Sequence, residues 1–263
     1  MDEAAALVLT LESTDPRAPT ACAGWRAHEL VAHLAAGAAE LAEHAERALC
    51  GEPEQATRGF AEREAPFVAM EDAELRDRLF TEALRLNDAV DELSERGLSV
   101  AFSGRRLSAG EIRTHGRSEA ALHRWDLCDD DELGDQLLGQ PELTTHAVTL
   151  LNSMLADSSE SPQTRAWWAG ISGPTRFVLG SPGQLDVVVT VDRCGARFGL
   201  GAATESPTAI CDASTRLLAL WGRRSPDRPI EWNVDDPASG RLARFLWGPT
   251  VFVGEGRAAA SIS

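Results

Sequence analysis

A helical bundle followed by a smaller α+β module is the fold class this sequence predicts. Three observations carry it. Apolar residues keep a helical period up to about residue 158, and the composition then turns to Ser, Glu and Pro from Asp157 to Pro162. Beyond that point short runs alternate in polarity or are β-branched, and are bounded by Gly and Pro. The expected domains are therefore 1–158, helical, and 163–253, α+β, joined by a short linker.

An opening helix is expected before Ser13. From Arg26 to Leu49 one stripe carries Leu30, His33, Leu34, Gly37, Leu41, Ala45 and Ala48, with Glu29, Glu40, Glu43 and Glu46 largely outside it. A polar loop is expected from Gly51 to about Ala65. Leu75, Leu79, Leu86, Val90 and Leu93 then keep helical spacing from Asp72 to Leu93, and Gly97 is a suitable stop. Ser108-Ala-Gly-Glu111 is a capping box that starts the next helix. Pro141 initiates a further one from Glu142 to Leu155. The second module is read as strands at Thr175–Leu179, Leu185–Val191, Ala196–Leu200 and Thr208–Cys211, a helix at Ala213–Trp221, a strand near Ile230–Val234 and a last helix at Pro237–Trp247. A small, polar tail from Gly254 is expected to fray.

Composition narrows the function. At 263 residues the chain can bury a substantial core, and 43% hydrophobic with 25% charged residues is ordinary for a soluble protein. A formal charge of −16 repels phosphate backbones and anionic membranes, so nucleic-acid binding is not expected. No stretch approaches the roughly 20 apolar residues of a membrane helix, and no basic region precedes the first apolar run. Five scattered cysteines without a CxxC pair indicate free thiols in a reducing cytosol. The sequence has no tyrosine, which removes a Tyr general acid. A cytoplasmic monomer is the expectation.

Glu119 and His123 stand four residues apart in Arg117-Ser-Glu-Ala-Ala-Leu-His-Arg-Trp-Asp126, on one helical face. Carboxylate and imidazole are ligands that zinc accepts. The third candidate is His33, on the inward stripe of its helix. Taken singly, His33 also reads as a hydrogen-bonded core imidazole, and Glu119 with His123 as an ordinary helix pair. Flanking Leu122, Trp125 and Leu127 suggest burial, where a carboxylate is costly unless paired or metal-bound. His28-Glu-Leu-Val-Ala-His33 imitates a zinc-protease helix, but its histidines are five apart, roughly 500° of rotation, and diverge. GxSxG, P-loop and Rossmann fingerprints are absent from the sequence.

Two segments resemble a known family. Thr20-Ala-Cys-Ala-Gly-Trp25, followed by Arg-Ala-His-Glu-Leu-Val-Ala-His-Leu34, resembles the N-terminal signature of the mycothiol-dependent maleylpyruvate isomerase family, a group of DinB-like four-helix bundles. Glu119 through Asp126 resembles its second signature, Glu-x-x-x-His-Arg-Trp-Asp. The C-terminal half, above all Leu217-Leu-Ala-Leu-Trp-Gly-Arg-Arg224, is similar to the family's sterol-carrier-like domain. The resemblance implies a zinc site on His33, Glu119 and His123, with mycothiol as thiol cosubstrate. His28, Glu29 and Ser118 depart from the usual pattern near the site, which bears on substrate choice.

Three protein ligands leave metal positions open, and a thiol entering one loses its proton. The implied activity is addition of that thiolate to a small electrophile, as a maleylpyruvate-type cis–trans isomerase or as an S-transferase. Arg124, Arg223, Arg224 and Arg244 are candidates for binding a substrate carboxylate, since guanidinium suits that group. A solvated or packing role is the ordinary alternative for each. His44, His115 and His146 are read as surface or structural. Two other functions fit the same residues: a non-catalytic, metal-stabilised lipid-binding protein, and a metal-dependent hydrolase.

Overall fold

The computed structural model describes residues 1–158, 175–192, 195–233 and 239–247. Most of the expected linker and the polar tail lie outside them. Helical and sheet-containing regions follow one another as expected, and the chain divides into two compact units, Met1–Asp129 and Asp130–Ser263.

The first unit contains α1 (Glu3–Ser13), α2 (Ala27–Leu49), α3 (Phe60–Val68), α4 (Asp72–Arg96), a hairpin of β1 (Ser99–Phe102) and β2 (Arg105–Ser108), and α5 (Ala109–Cys128). The stop of α4 and the start of α5 are those of the sequence signals. Gly97 ends α4 in the left-handed region at φ 62°. The capping box opens α5, with Ser108 Oγ accepting from the Glu111 N–H at 3.3 Å and Glu111 Oε2 accepting from the Ser108 N–H at 2.8 Å. Helix α2 packs mainly on α4, and α1 on α5.

Small side chains set how closely the central helices approach. Val31, Ala32, Ala35 and Ala36 of α2 form one buried cluster with Leu75 of α4 and Ala120 of α5. Alanines at that seam let the α2 and α5 backbones come near each other, which brings their polar side chains within reach. A second cluster joins Leu41 and Ala45 to Val90, Leu93, Val100, Leu107 and Ile112, seating the hairpin.

Three features of the first unit depart from the sequence expectation. Helix α3 occupies part of the expected loop, although it carries Pro66 and buries only Phe67 among its residues. The β1–β2 hairpin turns on Ser103 and Gly104, both at positive φ. Glu40, expected off the inward stripe, is fully buried. It is compensated there by the Arg58 N–H at 2.6 Å, Arg58 Nε at 3.2 Å and Arg63 Nη1 at 3.4 Å.

The second unit contains α6 (Glu132–Leu138), α7 (Pro141–Ser158), β3 (Thr175–Gly180), β4 (Asp186–Asp192), β5 (Gly195–Gly201), β6 (Ala209–Ile210), α8 (Ala213–Leu220), β7 (Glu231–Trp232) and α9 (Ser239–Trp247). The sheet order is β5-β4-β3-β6-β7, with β3 and β6 parallel and the other pairs antiparallel. Buried Phe177, Leu179, Val187, Val189 and Val191 fill its core with Leu217 and Leu218 of α8. The expected boundary at 158 assigns α7 to the helical domain, whereas the compact division falls at Asp129. Side-chain chemistry explains why: Asn152 of α7 donates to the Phe198 carbonyl at 2.9 Å and accepts its N–H at 2.8 Å. The β5 edge is thereby paired by α7 rather than left open.

Candidate metal centre

His33 lies on α2, nearly two turns past the helix start at Ala27, and Glu119 and His123 lie on α5. The alanine seam holds these helices so that both imidazoles face one carboxylate oxygen. His33 Nε2 is 3.4 Å and His123 Nε2 is 3.5 Å from Glu119 Oε2. The two rings meet edge to face at 5.2 Å between centroids. One donor atom from each residue lies within 4.8 Å of the others. The structure thus brings together all three residues expected from the sequence.

The spacing is informative. Ligand atoms about 2.0–2.1 Å from a cation at tetrahedral angles lie roughly 3.3–3.4 Å apart. The observed separations have that size, and they are long for hydrogen bonds.

Each imidazole is oriented from its far side. His33 Nδ1 is 2.7 Å from Glu64 Oε1, and His123 Nδ1 is 2.8 Å from Asp126 Oδ2. A carboxylate at Nδ1 retains the proton there and leaves Nε2 as the electron-pair donor, facing Glu119. The residues present therefore fit a divalent ion of the zinc type: two oriented Nε2 donors and one carboxylate oxygen.

Electrostatics agree with the geometry. Burial works to raise the Glu119 carboxyl, but the facing His123 and His33 imidazoles and the charge of His115 hold it well below the usual carboxylate range. Burial works to lower His123, but Asp126, Cys22 and Glu119 hold it well above the usual histidine value. The pocket is one that demands positive charge. A proton on imidazole meets that demand, and a cation between the same atoms meets it more fully.

Aromatic side chains wall the centre. Trp25 lies 5.1 Å from His33 and stacks on His123 at 6.3 Å, while Phe60 lies 5.7 Å from His33. Arg63 caps Phe60 at 4.4 Å from its ring. His115, read from sequence as surface or structural, has Nδ1 4.0 Å from Glu119 Oε1. The signal was available, because His115 precedes Glu119 by one helical turn. Glu64 had no comparable signal, since it lies in what reads as a loop.

The arginine candidates are more dispersed. Arg124 is buried in α5. Arg223 and Arg224 follow α8 in the second unit, Arg223 with Nη1 3.5 Å from the Trp221 carbonyl and Arg224 exposed. The Arg244 side chain lies outside the described residues. No helix among the described residues is long and apolar enough to cross a membrane.

With this geometry in hand, residues 1–128 match the sequence model of a family described as mycothiol maleylpyruvate isomerase N-terminal domain. The first unit belongs to that family. Two solved structures are similar over most of the chain: the mycothiol-dependent maleylpyruvate isomerase and a histidine-to-alanine mutant of it. Each is 18% identical and covers 87% of this chain and 88% of its own, with TM-scores of 0.58 and 0.59 respectively. At that identity the likeness establishes a shared fold through both units. No curated protein matches the chain.

Proposed function

We propose that the chain is a zinc-dependent enzyme that uses mycothiol to attack a small electrophile, as a maleylpyruvate-type cis–trans isomerase or an S-transferase. The observation that supports it most is the convergence of His33 Nε2 and His123 Nε2 on one Glu119 oxygen, within a domain of the isomerase family. A divalent cation held there would lower the pKa of an incoming thiol, so that the thiolate exists at neutral pH.

The protein's own groups do the arranging. Glu64 and Asp126 retain the imidazole Nδ1 protons, so neither histidine serves as the acceptor of the thiol proton at that atom. Trp25 covers a face of each imidazole, which limits water there and strengthens the electrostatic interactions. Addition of a thiolate to a cis double bond leaves a single bond free to rotate, and elimination returns the trans alkene with the thiol. Release of the adduct instead gives S-conjugation. Arg124, Arg223, Arg224 and Arg244 are proposed as the candidates for binding a substrate carboxylate. A cytoplasmic, monomeric protein belongs to the same proposal; among the described residues Cys22, Cys50, Cys128 and Cys211 form no disulfide.

The test is turnover of maleylpyruvate and a panel of electrophiles by zinc-loaded protein with and without mycothiol, read by product mass. Unchanged mass means isomerisation, and added thiol mass means conjugation. Turnover lost without mycothiol, and lost in His33→Ala and Glu119→Ala, supports the proposal. Tight lipid binding with no thiol-dependent turnover overturns it in favour of a non-catalytic carrier.

A further inference from the structure

The far side of His123 carries a second donor cluster. Asp126 has a fully buried side chain, and its Oδ2 accepts two hydrogen bonds: His123 Nδ1 at 2.8 Å and the Cys22 thiol at 3.2 Å. Its backbone carbonyl accepts the Ala21 N–H at 2.8 Å. The turn that makes these contacts is closed on itself. Thr20 N–H donates to the Trp25 carbonyl at 3.1 Å, Trp25 N–H to the Cys22 carbonyl at 3.0 Å, and Gly24 takes φ 82° between them.

Cys22, His123 and Asp126 offer three possible metal donors within 4.8 Å. Distances decide against a second ion. The 2.8 Å between His123 Nδ1 and Asp126 Oδ2 is shorter than the roughly 3.3 Å edge of a tetrahedral site, and it is an ordinary hydrogen bond. A proton, not a cation, lies between them.

We propose that Asp126 and Cys22 are positioning residues for the cation site, acting through His123. Asp126 retains the Nδ1 proton and points Nε2 at Glu119 and His33. Cys22 holds the Asp126 carboxylate in the one rotation that does so, because an oxygen accepting from both sides cannot turn without losing a bond. Asp126 is on the same helix as His123, whereas Cys22 comes from the turn before α2. The thiol therefore ties the orientation of one ligand to the segment that also places Trp25 over both imidazoles. Cys22 approaches the Nδ1 side of the ring, opposite to Nε2, so it does not compete as a ligand on the Glu119 side.

This inference rests on the proposed cation site, and the experiment separates the two. Zinc affinity is measured by competition with a chromophoric chelator on metal-free wild-type protein, Glu119→Ala, Asp126→Asn, Cys22→Ala and Cys22→Ser. Asp126→Asn is expected to weaken zinc about 10- to 100-fold. Cys22→Ala is expected to weaken it by about 3- to 10-fold, the size of one net hydrogen bond. Cys22→Ser, whose hydroxyl also donates, is expected to restore most of that loss. Cobalt-loaded Cys22→Ala should show shifted ligand-field absorption bands, and cobalt-loaded Cys22→Ser the wild-type bands; a general loss of stability would not produce that pattern. Wild-type affinity in both Asp126→Asn and Cys22→Ala, with binding lost in Glu119→Ala, overturns the positioning role and leaves the cation site standing. Cys22→Ser no tighter than Cys22→Ala overturns the hydrogen-bonding role of the thiol. Wild-type protein that binds no zinc overturns the site itself.

Discussion

The two imidazoles of the centre are held alike at Nδ1 and differently behind it. His123 relies on Asp126, three residues along its own helix and without solvent exposure. His33 relies on Glu64, carried by a nine-residue helix that buries only Phe67 among its residues. Glu64 is supported in turn by Arg63, whose Nε is 3.9 Å from it and whose Nη1 reaches the buried Glu40 at 3.4 Å. One ligand has its orienting carboxylate on its own helix as soon as α5 forms, and Cys22 fixes that carboxylate when the turn before α2 docks. The other waits for a distant segment to dock, through charges more than through apolar area. Local orientation is robust, and docked orientation is the natural point of failure or adjustment.

The largest test of this contrast removes a ligand outright. Glu119→Ala takes away the oxygen that both imidazoles share, and stoichiometric zinc should be lost by elemental analysis whichever side is the stronger. Next come the two supporting carboxylates. Asp126→Asn should weaken zinc about 10- to 100-fold and Glu64→Gln by about tenfold or less, since the Glu64 support is partly solvated. Equal losses would erase the distinction between local and docked support. Phe67→Ala follows, removing the buried anchor of α3 at a cost of about 3 kcal/mol. Amide exchange should speed up in α3 and stay unchanged in α5; uniform acceleration would show the two sides to be one cooperative unit.

The smallest effect comes from a histidine with no carboxylate paired to either nitrogen among the described residues. His44 is buried against Phe102 at 5.6 Å, and its Nε2 has no hydrogen-bond partner among the described residues. Burial lowers its pKa below the usual value, despite the nearby charges of Glu40 and Glu43. A depressed folded-state pKa gives stability that is complete above the unfolded value, near 6.5, and lost as pH falls through the folded one. Metal-free protein should therefore lose melting temperature between neutral pH and about pH 5, and His44→Phe should lose less. An identical acid slope in the variant would count against burial as the cause.

Much of the centre was legible in the sequence because its information is local. Glu119 and His123 share a face through their spacing, and His33 stands on an apolar stripe beside the Gly-Trp signature. The helix starts at Ser108 and the stop at Gly97 were legible for the same reason. What escaped depends on contacts between distant segments. Helix α3 has too few buried residues to impose a period, so Glu64 could not be assigned to a face. Glu40 looks solvated until Arg58 and Arg63 return over it. The β1–β2 hairpin did carry a signal, Ser103-Gly104, but four-residue strands are too short to show alternation. Helix α7 was legible as a helix and the short α6 was not read; the place of α7 with the sheet was not legible, because it rests on pairs such as Asn152 with the Phe198 backbone.

His33 and Glu119 stand on helices separated by most of the first unit's sequence. A cation gripping both would close that whole stretch into a loop, and in polymer terms it is a reversible crosslink. Such a link removes conformations chiefly from the unfolded chain, by an amount that grows only with the logarithm of loop length. Unlike a disulfide, it is governed by mass action, so the unit's melting temperature would track the free-ion concentration. The supply of metal would then set how long the fold lasts as well as how fast the chemistry runs.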